Sequence, residues 1–258
     1  MGIFKAMFVI RQRFAWAALA AALATAAGCH RFDPRSFSGP EALFRGAMRE
    51  FRAGRFQRAQ AAFQQLTFDV PPRDTLLPKV RYFLAECQFG QRDFVTAARE
   101  FRRVADEFPT DSLAPWALLR TGDAYAELWR RPELDPSNAQ TAVATYQELQ
   151  GRYPDARGAV IAGARLRQLN ELFATKEYEN GLFYFRRRAW DSAILYFKNL
   201  IATYPSASLV PDAYVRLVRA YGAIGYREEM QEVCETVRRF YGARADVRRA
   251  CGNGSLRR

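Results

Sequence analysis

The chain has 258 residues, 49% hydrophobic and 26% charged, with no low-complexity tract, which is enough for a substantial core and excludes a wholly disordered protein. Formal charge is +12; Lys5, Arg11 and Arg13 supply three of these in a stretch without acids, so residues 29–258 carry 12 − 3 = +9. A surface this basic draws nucleic acid, anionic lipid or an acidic protein, and charge alone does not choose among them.

Residues 1–13 form a positive region and Phe14–Ala27 an uncharged apolar run ending in small residues, the pattern of a secretory signal peptide over 1–28. As a helix that run would reach only about 21 Å, short of the roughly 30 Å hydrocarbon core, so a permanent span is disfavoured. Ala26-Ala27-Gly28-Cys29 resembles a bacterial lipobox, with Ala26 where Leu is commoner. Cys29 is the expected lipidation site, and its two or three acyl chains would tether the protein stably to a membrane. His30 stands where lipoproteins kept at the inner membrane often have Asp, which by resemblance favours the outer membrane, periplasmic face.

Residues 29–40, with Pro34, Ser36, Ser38, Gly39 and Pro40, read as a lipidated linker. A periodic pattern follows. A small residue is succeeded four residues on by an aromatic, seven on by an aliphatic and twelve on by proline: Ala59/Phe63/Leu66/Pro71, Ala97/Phe101/Val104/Pro109, Ala142/Tyr146/Leu149/Pro154 and Ala193/Phe197/Leu200/Pro205. A degenerate fifth copy is Met230/Cys234/Val237 with Gly242, and the steps between copies are 38, 45, 51 and 37 residues. Offsets of four and seven share one helical face, and the proline cannot continue that helix. A second amphipathic stretch precedes each copy, joined by turns such as Phe51–Phe56 and Phe185–Trp190, so the unit is a helical hairpin. Trp129–Asn138 is an insertion within the third copy and Ala159–Lys176 a long stretch before the fourth; both are expected to make contacts. The expected divisions are N-terminal repeats over 41–155, C-terminal repeats over 156–242 and a basic tail over 243–258.

The pattern resembles the tetratricopeptide repeat and implies an all-α solenoid of about five hairpins. The aromatic stripes are then core.

Chemistry is sparse. The single histidine, His30, lies beside the anchor, so no catalytic triad can be built in the folded body. No phosphate loop, paired metal-ligand cysteines or zinc-protease motif occurs; no catalytic residue, metal or cofactor is expected, and the protein is not read as an enzyme. Cys87 and Cys234 read as buried small hydrophobes. An oxidising periplasm would permit a Cys234–Cys251 bridge, which the sequence leaves open. Arg186–Arg188 and Arg238, Arg239, Arg244, Arg248 and Arg249 form basic clusters, for which a secreted chain would meet an acidic protein or anionic lipid and no nucleic acid.

Leu172–Ala193, closed by Tyr204-Pro205-Ser206-Ala207-Ser208, is similar to the fourth-repeat pattern of the BamD family of outer-membrane protein assembly factors. The lipobox, the five repeats, the third-repeat insertion with Asp135-Pro136 and the cadence Phe108-Pro109, Tyr153-Pro154, Tyr204-Pro205 extend that resemblance over nearly all of residues 29–240. It implies a scaffold whose C-terminal repeats couple to a BamA-type barrel protein and whose N-terminal repeats receive unfolded outer-membrane protein precursors, alongside other assembly-machinery lipoproteins. The partner face is then expected at Tyr178, Tyr184, Arg187, Arg188, Trp190 and Tyr196. Tyr196 stands where some relatives have an arginine that pairs with the barrel partner. The precursor face is expected on first helices of copies one to three, at Arg49, Arg81, Tyr82, Arg120 and Tyr125, where arginines and aromatics suit a segment ending in an aromatic and a carboxylate. The competing scaffold readings are a secretin pilotin and a Tol-Pal or cell-wall coordinator. The latter type usually carries an N-terminal coiled coil, for which residues 30–41 leave no room.

Overall fold

The computed structural model describes residues 32–252; the signal segment, Cys29 and His30 lie outside them. Among the described residues there are eleven α-helices and no strand: α1 Pro40–Arg52, α2 Phe56–Asp69, α3 Leu77–Gly90, α4 Phe94–Glu107, α5 Ala114–Glu127, α6 Ser137–Arg152, α7 Arg157–Arg186, α8 Trp190–Thr203, α9 Val210–Ile224, α10 Arg227–Tyr241 and α11 Ala245–Ala250. No helix among them is long and apolar enough to cross a membrane. The chain divides between Pro72 and Arg73 into two compact units.

The first unit contains the hairpin α1/α2. Asp33 caps a 3₁₀ turn at Pro34–Ser36, and Phe37 lies against Gly46, where a Cβ would come within 2.6 Å of the ring. The end of the expected linker is therefore packed. The buried carboxylate of Glu50 accepts two hydrogen bonds from Arg55, at 2.7 and 2.9 Å, across the turn into α2.

The second unit holds the hairpins α3/α4, α5/α6, α7/α8 and α9/α10, each helix packed on the next, with α11 against α9 and α10. Prolines act in two ways at the junctions between hairpins, although α7 begins without one. Pro109, Pro154 and Pro205 follow a finished helix, while Pro78, Pro115 and Pro211 occupy first turns of α3, α5 and α9, where a missing N–H breaks no bond. The repeating triads are buried in both units: all four Ala/aromatic/aliphatic sets are fully inaccessible, and Met230, Cys234 and Val237 nearly so. Close approach of the paired helices makes room for the rings. A Cβ on Gly122 would stand 2.4 Å from Tyr146, and one on Gly181 would stand 2.6 Å from Phe197.

Four of the five hairpins turn by the same device. The N–H groups of Arg55, Asp93, Ala189 and Tyr226 each reach back five residues, to the carbonyls of Glu50, Gln88, Tyr184 and Tyr221. The residue before each donor is left-handed: Gly54 (φ 70°), Arg92 (φ 66°), Arg188 (φ 59°) and Gly225 (φ 78°). Aromatic pairs close all four of these turns, Phe51–Phe56, Phe89–Phe94, Phe185–Trp190 and Tyr221–Tyr226, with ring centroids 5.0–6.3 Å apart. The third hairpin has the insertion instead. There Trp129 stacks on Phe173 at 4.7 Å and donates its indole N–H to the Leu134 carbonyl, which Lys176 also reaches, together with that of Pro132. The long stretch before the fourth copy is one continuous 30-residue helix, α7.

Two outcomes follow from this packing. Gly181→Ala gains helix propensity of just under about 1 kcal/mol but drives a methyl into Phe197, for a net loss of about 1–2 kcal/mol in chemical denaturation. In the first unit, the hydrogen bond from Arg55, acting against desolvation, holds the Glu50 carboxyl below the usual carboxylate range. That pair therefore contributes stability above the ordinary range, lost as pH falls through the depressed value. Amide protection in α1, corrected for intrinsic exchange, should fall between pH 6 and pH 3, and Glu50→Gln should flatten the dependence.

Candidate functional site

Two side-chain constellations stand out, both in the second unit. The first lines a cleft of about 570 Å³ framed by α3, α5, α7 and the insertion, with Phe89, Arg120, Asp123, Trp129, Arg165 and Leu172 on its walls. Helical spacing places Arg120 and Asp123 one turn apart, and Arg120 forks onto Glu86 of α3 at 2.8 and 2.7 Å while touching Asp123 at 3.2 Å. Its guanidinium lies 3.9 Å from the Phe89 ring centroid. Asp123 also accepts the Tyr146 hydroxyl at 2.8 Å and sits 3.3 Å from Arg165.

Burial works against charge on Arg120, yet Glu86 overcomes it and leaves the guanidinium more firmly protonated than usual. Burial raises the Tyr82 phenol well above its ordinary range, with Glu86 adding to it, and burial with Asp123 does the same to Tyr146. These side chains hold charge and shape, and neither phenol is poised to exchange a proton near neutrality. Among the described residues no group of His, Cys, Asp or Glu could hold a metal ion.

The expected precursor-face residues are thus dispersed. Arg120 lines the cleft and Tyr82 contacts the same Glu86. Arg81 turns to α4, 2.6 Å from Glu107, and Tyr125 packs half-buried against the core of the third hairpin. Arg49 is exposed on α1, in the other unit. Asp123, Arg165 and Leu172 were not singled out by the sequence, because their relation to Arg120 depends on how α7 packs beside α5.

The second constellation brings the expected partner-face residues together around the α7/α8 turn. Tyr184 and Tyr196 stack at 5.4 Å and 12°, Trp190 meets Phe185 edge-on at 5.0 Å, and Tyr178 lies 5.7 Å from Phe197. Arg187 lies over Phe183, 3.5 Å from its centroid, and Arg186 and Arg188 are exposed beside it. Two exposed apolar side chains missed in the sequence, Phe183 at 48% and Leu195 at 67%, belong to these same helices. In a sequence they look like the core aromatics and aliphatics around them.

An array of helical hairpins with a buried alanine–aromatic–aliphatic seam in each of the first four defines an all-α protein of tetratricopeptide-type repeats. The sequence profile of the YfiO outer membrane lipoproteins matches residues 38–236, and the chain belongs to that family. Relatives include the outer membrane protein assembly factor BamD of Xylella fastidiosa strain 9a5c, 26% identical over 215 residues covering 77% of this chain and 72% of that protein. BamD of Caulobacter vibrioides is 28% identical over 136 residues, 53% of this chain and 45% of that protein. Among solved structures, the yeast Sti1 TPR2AB domain aligns at 13% identity and a TM-score of 0.44, covering 84% of this chain and 83% of that one. The tetratricopeptide protein TTC0263 of Thermus thermophilus aligns at 17% identity and a TM-score of 0.37, over 84% of this chain and 99% of that one.

Arg120→Met should cost about 3 kcal/mol in denaturation, because Glu86 would be left half-buried without its partner, whereas Glu86→Met/Arg120→Met should recover most of the loss. Recovery in the double variant separates electrostatic pairing from packing.

Proposed function

We propose that this chain is the helical-repeat lipoprotein of an outer-membrane protein assembly machine. Cys29, outside the described residues, carries acyl chains that hold it on the periplasmic face of the outer membrane. The C-terminal repeats, 156–242, bind a BamA-type barrel protein, and other lipoproteins of the machine share the complex. The N-terminal repeats, 41–155, receive unfolded outer-membrane protein precursors. The work is binding, with no catalytic step and no cofactor. The observation that carries this reading is the family match across residues 38–236.

The α7/α8 face supports the division of labour. Phe183, Leu195 and the rim of Tyr184 and Tyr196 offer apolar contact, and Arg186–Arg188 offer donors for carboxylates, the composition of an interface core with a charged rim. For precursors, the cleft beside α5, which the N-terminal repeats share with α7 of the C-terminal repeats, is lined by both apolar and charged side chains, Phe89 and Asp123 with Arg165 and Leu172 of α7, and suits an amphipathic segment entering in extended form.

The test is affinity purification of the tagged full-length protein from its own envelope in mild detergent. A BamA-type barrel protein should be recovered in near-equal amount, and Phe183→Ser/Arg187→Glu should weaken that association about tenfold or more while far-UV circular dichroism stays unchanged. Recovery of a secretin or of cell-wall enzymes in its place would overturn the assembly reading and leave the fold intact.

A further inference from the structure

The last hairpin ends differently from the others. At the position filled by Phe63, Phe101, Tyr146 and Phe197 in the earlier copies, α10 carries Cys234, and its sulfur is bonded to Cys251, 17 residues on. Between them the segment expected as a basic tail forms α11, whose Val247 and Ala250 are buried against α9 and α10.

Six residues are too few for a helix to persist alone in water. Two small apolar anchors are a modest dock. The polar straps are few: Arg244 joins Asp212 of α9 at 3.0 Å and Asp246 at 2.8 Å, Arg238 donates to the Cys251 carbonyl, and Arg248 donates to the Ala243 carbonyl at 2.5 Å. Arg244 holds the Asp246 carboxyl down to about 2, so that pair stays charged throughout the physiological range. The disulfide is the one covalent tie between α10 and the end of α11.

Pairing is also selective. Cys87, the other cysteine among the described residues, is fully buried on α3, and burial pushes its thiol up to about 12, so it is a poor competitor in thiol–disulfide exchange. Cys234 and Cys251 are themselves nearly inaccessible once joined, which places their oxidation before or during docking of α11.

We propose that Cys234 and Cys251 form a substrate site for a disulfide-donating oxidoreductase, and that the bond it installs is what keeps α11 seated as the cap of the last hairpin. The Cys251 thiolate attacks the donor's disulfide, giving a mixed disulfide and releasing one donor thiolate. Cys234 then displaces the second donor sulfur, so two electrons and two protons leave this chain and the donor ends as a dithiol. The inference is independent of the assembly reading: it needs an oxidising compartment and no particular binding partner.

The experiment uses the full-length protein isolated from the envelope, blocked with a maleimide under denaturing conditions and mapped by peptide mass. Cys234 and Cys251 should be unlabelled before reduction and both labelled after it. In the folded protein, reduction should speed tryptic cleavage after Arg244, Arg248 and Arg249 by roughly tenfold or more, since release of α11 exposes those bonds. An oxidised dithiol oxidoreductase added back should restore protection to the wild-type chain but not to Cys251→Ser. Because reduction and reoxidation are done on the wild-type chain, the result stands even if the variant folds poorly. Free thiols at both positions in envelope-derived protein, or equal cleavage with and without the bond, would overturn the proposal.

Discussion

The interaction on which the repeats depend is a ring seated against a backbone with little or nothing on its Cα. Tyr146 lies on Gly122 and Phe197 on Gly181 so closely that a single methyl would collide with either ring. That contact fixes how near two helices stand, and Ala142 and Ala193, one turn before the rings, are fully buried. The left-handed turns complete the arrangement by returning the chain with a fixed offset. Once these are satisfied the inner faces have no freedom left, and specialisation is confined to what points outward.

The arginine excess illustrates the difference between composition and available charge. Arg102 and Arg152 both reach Glu148, Arg103 reaches Glu107, and Arg120 is engaged by Glu86 and Asp123. These arginines are already matched by acids, within one helix or between equivalent helices of neighbouring hairpins, and the net +12 is the excess left over by such pairing. The more exposed of these pairs, those of Arg102, Arg103 and Arg152, each contribute little to stability, but they orient long side chains that would otherwise sweep the surface. The triple arginine at the α7/α8 turn differs, because Arg187 rests on an exposed ring and presents its edge outward.

Much of this was legible in the sequence. Offsets of four, seven and twelve identified every fully buried triad and the ends of α2, α4, α6 and α8, because a helical face and a proline stop are local properties. The turns at Phe51–Phe56 and Phe185–Trp190 were legible for the same reason. Site geometry was less so. The partner of Arg120 lies 34 residues earlier, and no local pattern marks Glu86 as its counterpart. Phe183 and Leu195 share the residue types of the core and differ only in direction. The helix α11 was hidden by its shortness and arginine content, since what holds it in place comes from elsewhere in the chain.

The insertion of the third hairpin is held in an unusual way. Lys176 and the Trp129 indole grip it through the carbonyls of Pro132 and Leu134, atoms that every residue type supplies. The shape of this loop is therefore largely indifferent to which side chains it displays. Glu133 and Leu134 could be exchanged over evolutionary time for other residues without redrawing the backbone. A fold so rigid in its repeats thereby keeps one address that can be rewritten.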